Sequence, residues 1–339
     1  MPRNIHTVAI VGPDTPLRQQ LIGHLADGNS ATGPIVCDPH GKGSYLDELR
    51  RMAGSEGTVD TVVVLATAPG AGASQWPAID EVPLVANAVS WAPDALLVVV
   101  TSSLVYGARV DNPIPLTEEA PPAPNPDLPF AARLLAIEQR GEQWRDDHRS
   151  GDSGSAVVRL AVLRPALVLG DTGRWPDDAL VSGFGVPRGD GDPPMQFVHV
   201  DDLAGAIAFA CGHRIEGTFN VASDGWLAGA DVRALAGMPQ HLLIPSRYAR
   251  FRQRRAAAAM GGLLGYATHP WVVANDRIKA AGWQPTLTNE QAFVAVHRGA
   301  LWTRLSPKRR QELALVGSAG AMIGLVTAIA AAARRWWRR

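Results

Sequence analysis

Short runs of β-branched and aliphatic residues alternate with stretches of helical periodicity through the first half of the chain. The alternation predicts βα units that feed a parallel sheet, because parallel strands need a crossover between them. The predicted strands are residues 7–11, 34–37, 61–66, 96–101 and 156–162, and the predicted helices are residues 17–26, 44–53, 81–91 and 129–148. Since such crossovers are right-handed, we expect an α/β fold with a doubly wound parallel sheet, whose ligand crevice lies at the carboxyl ends of the strands.

The second half of the chain has a looser pattern. Prolines crowd residues 112–129, which predicts a long surface loop because proline supplies no amide donor. After residue 165, loops rich in Gly, Pro and Asp alternate with short elements, which is typical of a smaller lobe. We therefore expect a sheet domain over residues 1–165, a smaller C-terminal α/β lobe over 166–303 and a separate tail over 304–339.

The composition is that of a globular protein, since 46% of the 339 residues are hydrophobic and 19% are charged. Cys37 and Cys211 lie far apart and show no paired spacing, which argues against a disulfide framework or a zinc site. The same cysteine usage favours a reducing compartment. The first residues lack the long apolar run of a secretion signal, so we expect the body of the chain to stay in the cytoplasm.

The tail differs from the body in charge and in pattern. Residues 301–339 hold eight Lys and Arg against one acid, although the net charge of the chain is zero. Between these basic flanks, residues 313–333 carry no charge and would form a helix about 30 Å long, enough to cross a bilayer. Gly320 and Gly324 would allow close helix packing in lipid. We expect a hydrophobic helix that spans the membrane or lies in it and holds the chain at the cytoplasmic face; a soluble docking or oligomerisation helix is the alternative.

Four passages share an order and a spacing that point to one family. They are TSSLVYG at residues 101–107, RPALVLG at 164–170, QFVHVDDLAGAI at 196–207 and GTFNVAS at 217–223. Together they resemble the extended short-chain dehydrogenases/reductases of the NAD-dependent epimerase/dehydratase type. The resemblance implies a Rossmann-like dinucleotide-binding domain at residues 1–165, a substrate-binding lobe at 166–303, NAD or NADP as cofactor, and a nucleotide-sugar-like ligand.

The glycine-rich turn of that family corresponds here to the sequence GPDTPLR. Gly12 stands at the first family glycine, whereas Thr15 and Arg18 stand where the other two would be. Their side chains fill space that a diphosphate or close helix packing needs, which argues against cofactor binding in the usual geometry. Two interpretations stay open: a plain turn with Asp14 or Thr15 as helix cap, or a turn in which Arg18 holds an anion. Asp38 ends the second strand, where the family acid contacts the ribose, so Gly12, Arg18 and Asp38 are the candidate cofactor-binding residues.

Two further positions concern the chemistry. The family uses a tyrosine as acid/base and a lysine four residues later, whose charge lowers the tyrosine pKa. Phe130 and Leu134 stand at these positions, so we expect the usual hydride-transfer chemistry to be lost. Ser102 aligns with the Ser or Thr that contacts substrate and is the retained catalytic candidate. A serine at a strand end also commonly satisfies backbone groups.

Two clusters of charged residues are more typical of structural roles than of a functional site. His199, Asp201 and Asp202 lack the geometry of metal ligands, and we expect the two acids to cap the helix that follows and no metal to bind. Residues 246–255 carry five arginines, which form a solvated helix face or contact phosphate or a membrane surface.

These observations favour a membrane-tethered, catalytically degenerate family member that binds a nucleotide-type ligand or a partner protein. The alternative is a divergent NAD(P)-dependent oxidoreductase or epimerase for a sugar nucleotide or lipid-linked sugar, in which Ser102 would polarise the substrate hydroxyl. A scaffold for cell-envelope enzymes needs only the fold and the tail. We expect no nucleic acid partner, while a homodimer and a complex with another protein both stay open.

Overall fold

The computed structural model describes residues 7–27, 34–38, 44–56, 58–66, 68–69, 78–150, 158–170, 174–175, 193–236 and 261–296. The strands are β1 (Val8–Val11), β2 (Ile35–Cys37), β3 (Val59–Leu65), β4 (Ala68–Pro69), β5 (Trp91–Val100), β6 (Val158–Pro165), β7 (Leu167–Leu169), β8 (Arg174–Trp175), β9 (Phe197–His199) and β10 (Gly217–Val221). The α-helices are α1 (Pro16–Asp27), α2 (Tyr45–Glu56), α3 (Glu81–Ala86), α4 (Pro129–Ser150), α5 (Val200–His213), α6 (Gly229–Leu235), α7 (Leu264–Thr268), α8 (Asp276–Ala281) and α9 (Asn289–Val296). Short 3-10 turns cover Ser103–Tyr106 and Gly261–Leu263.

A six-stranded sheet in the order β10-β6-β5-β3-β1-β2 forms the centre of the fold. All neighbouring strands in it run parallel. The chain adds strands on both sides of β1, which confirms the predicted doubly wound α/β sheet. Because β10 follows residue 166 in the chain, the sheet draws on both sides of the predicted boundary at residue 165, and the predicted domain limits stay predictions.

Helices cover both faces of the sheet, which explains why its strands are apolar on consecutive residues rather than on alternate ones. In β5, Leu96 and Val98 belong to a core shared with α1 and α5, whereas Leu97 and Val99 belong to a core shared with α2, α3 and α4. Full burial of a side chain of this size contributes about 1.5–3 kcal/mol. Since both faces are packed with specific side chains, the strand register is fixed, and with it the position of each strand end.

The predicted helix over residues 81–91 is wrong in its second half. Helix α3 ends at Ala86, and Trp91 is the first residue of β5. Pro93 keeps Ala92, the residue before it, out of helical conformation, but it does not explain why the helix already ends at Ala86. The Trp91 indole Nε1 donates to the Ala86 carbonyl oxygen at 3.0 Å, and so satisfies a carbonyl that a longer helix would have bonded.

The proline-rich segment 112–129 is irregular as predicted, but it is not merely a surface loop. Leu116 is buried and pairs with the chain near Val273: its amide donates to the Val272 carbonyl, and its carbonyl accepts from the Ala274 amide, both at 2.8 Å. The Asn112 side chain donates to the carbonyls of Gly107 and Pro270. The segment therefore fastens the strand-end motif that follows β5 to the last part of the described chain.

Helices α6, α7 and α9 and the strand pair β7–β9 enclose a smaller core beyond the sheet. Phe197 and Phe293 lie at its centre, with ring centroids 5.6 Å apart. None of the described helices has both the length and the apolar character needed to cross a membrane. The predicted tail helix at 313–333 and the arginine-rich segment 246–255 lie outside the described residues.

Candidate functional site at the carboxyl edge of the sheet

The turn between β1 and α1 opens at the carboxyl edge of the sheet, where a doubly wound fold binds its ligand. Thr15 caps α1, since its Oγ1 accepts from the Arg18 amide at 3.4 Å and its carbonyl accepts from the Gln19 amide at 3.1 Å. Pro16 is the first helical residue and has no amide donor. Of the two predicted capping candidates, Thr15 is therefore the cap, and it occupies a donor that an anion would otherwise use.

The Arg18 side chain turns back into this turn. Its Nη1 donates to the Gly12 carbonyl oxygen at 2.8 Å, and its Nη2 lies 2.8 Å from the Asp14 carboxylate. Asp38 lies 3.8 Å from Nη1. Only 9% of the side chain is exposed. The structure thus brings the three predicted residues Gly12, Arg18 and Asp38 together, with Arg18 already paired to two carboxylates.

Gly12 has a packing reason to be glycine. A Cβ atom at this position would lie 2.8 Å from the Cβ of Leu65 on β3, closer than real contacts allow. Pro16 has no amide to donate, the Arg18 amide already donates to Thr15, and two carboxylates neutralise the guanidinium. The turn therefore differs from an open turn that could hold a diphosphate. The residues present do not fit the dinucleotide that the fold family implies.

The positions of the expected acid/base pair are apolar and packed. Leu134 is completely buried in a cluster with Val105, Tyr106 and Ala166. Phe130 is half-buried and packs against the same cluster and the smaller core. A phenyl ring and an isobutyl group exchange no protons, so this part of the crevice has a hydrophobic wall where proton transfer would occur.

Ser102 lies at the carboxyl end of β5, where the sequence places it, but its hydroxyl serves the backbone. Only 2% of the residue is exposed, and Oγ accepts from the Leu104 amide at 3.3 Å, which caps the short turn Ser103–Tyr106. The neighbouring Ser103 hydroxyl is buried and has no hydrogen-bond partner among the described residues. The role of Ser102 toward a substrate stays a prediction.

A buried polar network behind the crevice escaped the sequence analysis. Glu138 on α4 accepts from the Arg164 Nη2 at 2.6 Å and from the Thr101 hydroxyl at 2.5 Å. Arg164 also donates to the Tyr106 hydroxyl at 3.0 Å, and that hydroxyl donates to Asn220 on β10 at 2.9 Å. Burial opposes the charge of Arg164, but the Glu138 carboxylate outweighs it and raises the pKa of the guanidinium. The sequence feature that could have indicated this network is Glu138 itself, a glutamate one helical turn after Leu134 on an otherwise apolar face of α4.

The residues of the His199 cluster have structural roles, but these roles differ from the predicted ones. The predicted cap is wrong: His199 caps α5, because its Nδ1 accepts from the Asp201 amide at 3.3 Å. Asp202 instead accepts from the amides of Thr286 and Leu287 and so fixes the loop before α9. Asp201 lies 3.0 Å from His24 on α1. Within the described ranges, no three His, Cys, Asp or Glu residues are placed to hold a metal ion.

A cleft beside the crevice has apolar walls whose polar groups are already bonded. Leu167, Met195, Gln196, Tyr266 and Trp271 are among its lining residues. The Gln196 side-chain amide both donates to and accepts from the backbone at 273. The Tyr266 hydroxyl donates to the backbone carbonyl at 104, and burial raises the pKa of Tyr266 to about 12. These side chains shape the cleft and offer little proton-transfer capacity.

The family model for the NAD dependent epimerase/dehydratase family matches residues 42–222, which is more than half of the chain. The chain belongs to this family. The match begins after the β1–α1–β2 unit, so the turn that contains Arg18 lies outside it. No curated protein matches this sequence.

Solved structures of epimerase/dehydratase type share the fold. UDP-N-acetylglucosamine 4-epimerase from Bacillus cereus has a TM-score of 0.58 at 16% identity, covering 86% of this chain and 98% of its own. RMD from Pseudomonas aeruginosa, complexed with NADPH, has a TM-score of 0.61 at 18% identity, covering 87% and 97%. The human epimerase family protein SDR39U1, solved with NADPH, has a TM-score of 0.58 at 19% identity, covering 86% and 100%. Similarity at this identity establishes the fold.

Proposed function

We propose that this epimerase/dehydratase-family protein binds a nucleotide-sugar-like ligand or a partner protein without hydride transfer, at the cytoplasmic face of a membrane. The observation that carries the proposal is the state of the acid/base positions. Leu134 is completely buried among apolar side chains and Phe130 packs beside it. A protein of this fold without a proton donor at the crevice keeps the framework for binding and loses the step that moves a proton.

Neighbouring groups do not replace the missing acid/base. The Tyr106 hydroxyl is held between Arg164 and Asn220, and burial raises its pKa despite the positive charge beside it. Tyr266 is similarly buried and bonded to the backbone. Arg133 precedes Leu134 on α4, but a guanidinium stays protonated and is a poor base. The crevice therefore supports recognition better than proton transfer.

A turnover experiment with the full-length protein in detergent tests this half of the proposal. The protein is incubated with NAD⁺ or NADP⁺ and a panel of UDP- and dTDP-sugars; reduced cofactor is followed by absorbance and sugar products by chromatography. We expect no turnover, together with measurable calorimetric binding of a nucleotide sugar or a partner. Turnover that disappears in Ser102→Ala would overturn the proposal.

The same experiment tests the second candidate function, that of a divergent NAD(P)-dependent oxidoreductase or epimerase. Its support is that similar structures are those of a UDP-N-acetylglucosamine epimerase and of proteins solved with NADPH. In that case Ser102 would have to leave its bond to the Leu104 amide and polarise the substrate hydroxyl. Ser102→Ala would then lower kcat, whereas Ser223→Ala, another fully buried serine, would not.

The membrane half of the proposal rests on the sequence of the tail. The seven Leu, Ile and Val residues of 313–333 supply about −3 kcal/mol of insertion free energy. One arginine at the centre of the segment costs about 2.5–3.5 kcal/mol and should cancel that gain. Leu325→Arg is therefore expected to move the full-length protein from the membrane fraction to the soluble fraction. Gln311→Arg, just outside the segment, is the matched control. If both variants fractionate equally, the proposal that residues 313–333 anchor the protein is refuted.

A further inference from the structure

Among the described residues, the Arg18 guanidinium is paired with groups of its own turn and of the neighbouring strand end. It bonds the Gly12 carbonyl and pairs with Asp14 and, at longer range, with Asp38. A buried guanidinium requires such partners, because an unpaired charge away from water is strongly disfavoured. The positive end of the α1 dipole lies at the same turn and adds to its attraction for anions.

Asp14 is the partner of Arg18 that an external anion could replace most easily. Its side chain is 56% exposed, against 9% for Arg18, and it pairs from the turn rather than from a packed element. The hydrogen bond from the Gln19 side chain and the positive charge of Arg18 lower the pKa of Asp14, so the carboxylate is ionised at neutral pH. The buried Nε of Arg18 has no acceptor among the described residues, so Asp14 and the Gly12 carbonyl do not use every donor of the guanidinium.

We propose that Asp14 is an internal ligand of Arg18, a tethered carboxylate that occupies the turn and competes there with diphosphate anions. The turn is then not a passive loss of glycines but an anion site that the chain fills with its own side chain. Because a tethered group binds at high effective concentration, it excludes a weakly held diphosphate at ordinary concentrations. The inference is independent of the proposed function, since neither Phe130 nor Leu134 takes part in it.

Calorimetric titration of the full-length protein in detergent with inorganic pyrophosphate and with ADP tests the proposal. Asp14→Asn keeps the shape of the side chain and removes its charge. We expect this variant to bind both probes at least about tenfold more tightly than the unmodified protein at low salt. Asp38→Asn should give a smaller gain, because Asp38 lies 3.8 Å from the guanidinium and Asp14 only 2.8 Å.

Matched variants separate this mechanism from a general change in surface charge. Asp47→Asn removes an exposed carboxylate that also lies 2.8 Å from an arginine, Arg50, and should leave pyrophosphate binding unchanged. Adding Arg18→Met to Asp14→Asn should abolish the gain. Circular dichroism identifies a variant that fails to fold, and Asp14→Ser then provides the same loss of charge.

Two outcomes would overturn the proposal. The first is that Asp14→Asn and Asp14→Ser bind pyrophosphate no more tightly than the unmodified protein, in which case Asp14 does not compete. The second is that the gain survives Arg18→Met. Turnover of a nucleotide sugar would refute the proposed function but leave these results untouched.

Discussion

Removing Glu138 should destabilise the protein far more than breaking a surface ion pair. Glu138→Gln leaves the Arg164 guanidinium buried, with 7% of its side chain exposed, and without its compensating charge. Breaking a buried pair from one side typically costs about 3–5 kcal/mol. Since domains are stable by about 5–15 kcal/mol, this loss should be plain in a urea unfolding curve followed by tryptophan fluorescence.

A double substitution tests the reasoning behind that number. If the loss comes from an uncompensated charge, Glu138→Gln combined with Arg164→Met should recover at least half of the lost stability. Arg140→Gln, on the same helix, breaks an exposed pair with Asp80 at 2.8 Å and should cost less than about 1 kcal/mol. A cost near that control for Glu138→Gln alone, or no recovery in the double variant, would refute the argument.

Three further predictions concern single buried groups. Burial raises the pKa of Glu81 from 4.5 to about 7, so the folded state holds its proton more tightly, and the free energy of unfolding should fall as the pH rises through this window; Glu81→Gln should remove that fall. Burial raises the pKa of Cys37 to about 11 and of Cys211 to about 12, so neither thiol should react with a thiol reagent at about pH 8 until the protein unfolds in urea. Gly12→Ala should reduce the free energy of unfolding by about 1–3 kcal/mol and so lower the melting temperature in the absence of any nucleotide, whereas Gly23→Ala, with open space around it on α1, should raise the melting temperature.

Five of the six strands of the sheet could be predicted because each contains a short aliphatic run, a pattern that burial on both faces imposes. That Phe130 and Leu134 occupy the acid/base positions of the family rests on their place after the strand-end motif and stays a prediction; the structure shows that both side chains are apolar and packed. Helix α3 was predicted too long because residues 87–91 keep a helical period, although the helix ends at Ala86.

Some contacts of the site are local, such as those of Arg18 with Gly12 and Asp14, but others lie between residues distant in sequence, and no local pattern encodes those. Asp38 follows Arg18 by twenty residues and reaches it only because β2 lies beside β1. Glu138 meets Arg164 because α4 packs on β6. The sequence identified the charged residues of the turn, but whether Arg18 faces a ligand or a neighbouring carboxylate depends on where the second strand ends.

The complete burial of Leu134 has a consequence for protein engineering. A lysine introduced at this position by a single substitution would carry its ammonium into a cluster of apolar side chains, where burial lowers a lysine pKa by several units, up to about 3–5. Such a variant would be destabilised by the buried charge. Installing an acid/base pair in this crevice would therefore also require polar replacements among the side chains that surround Leu134.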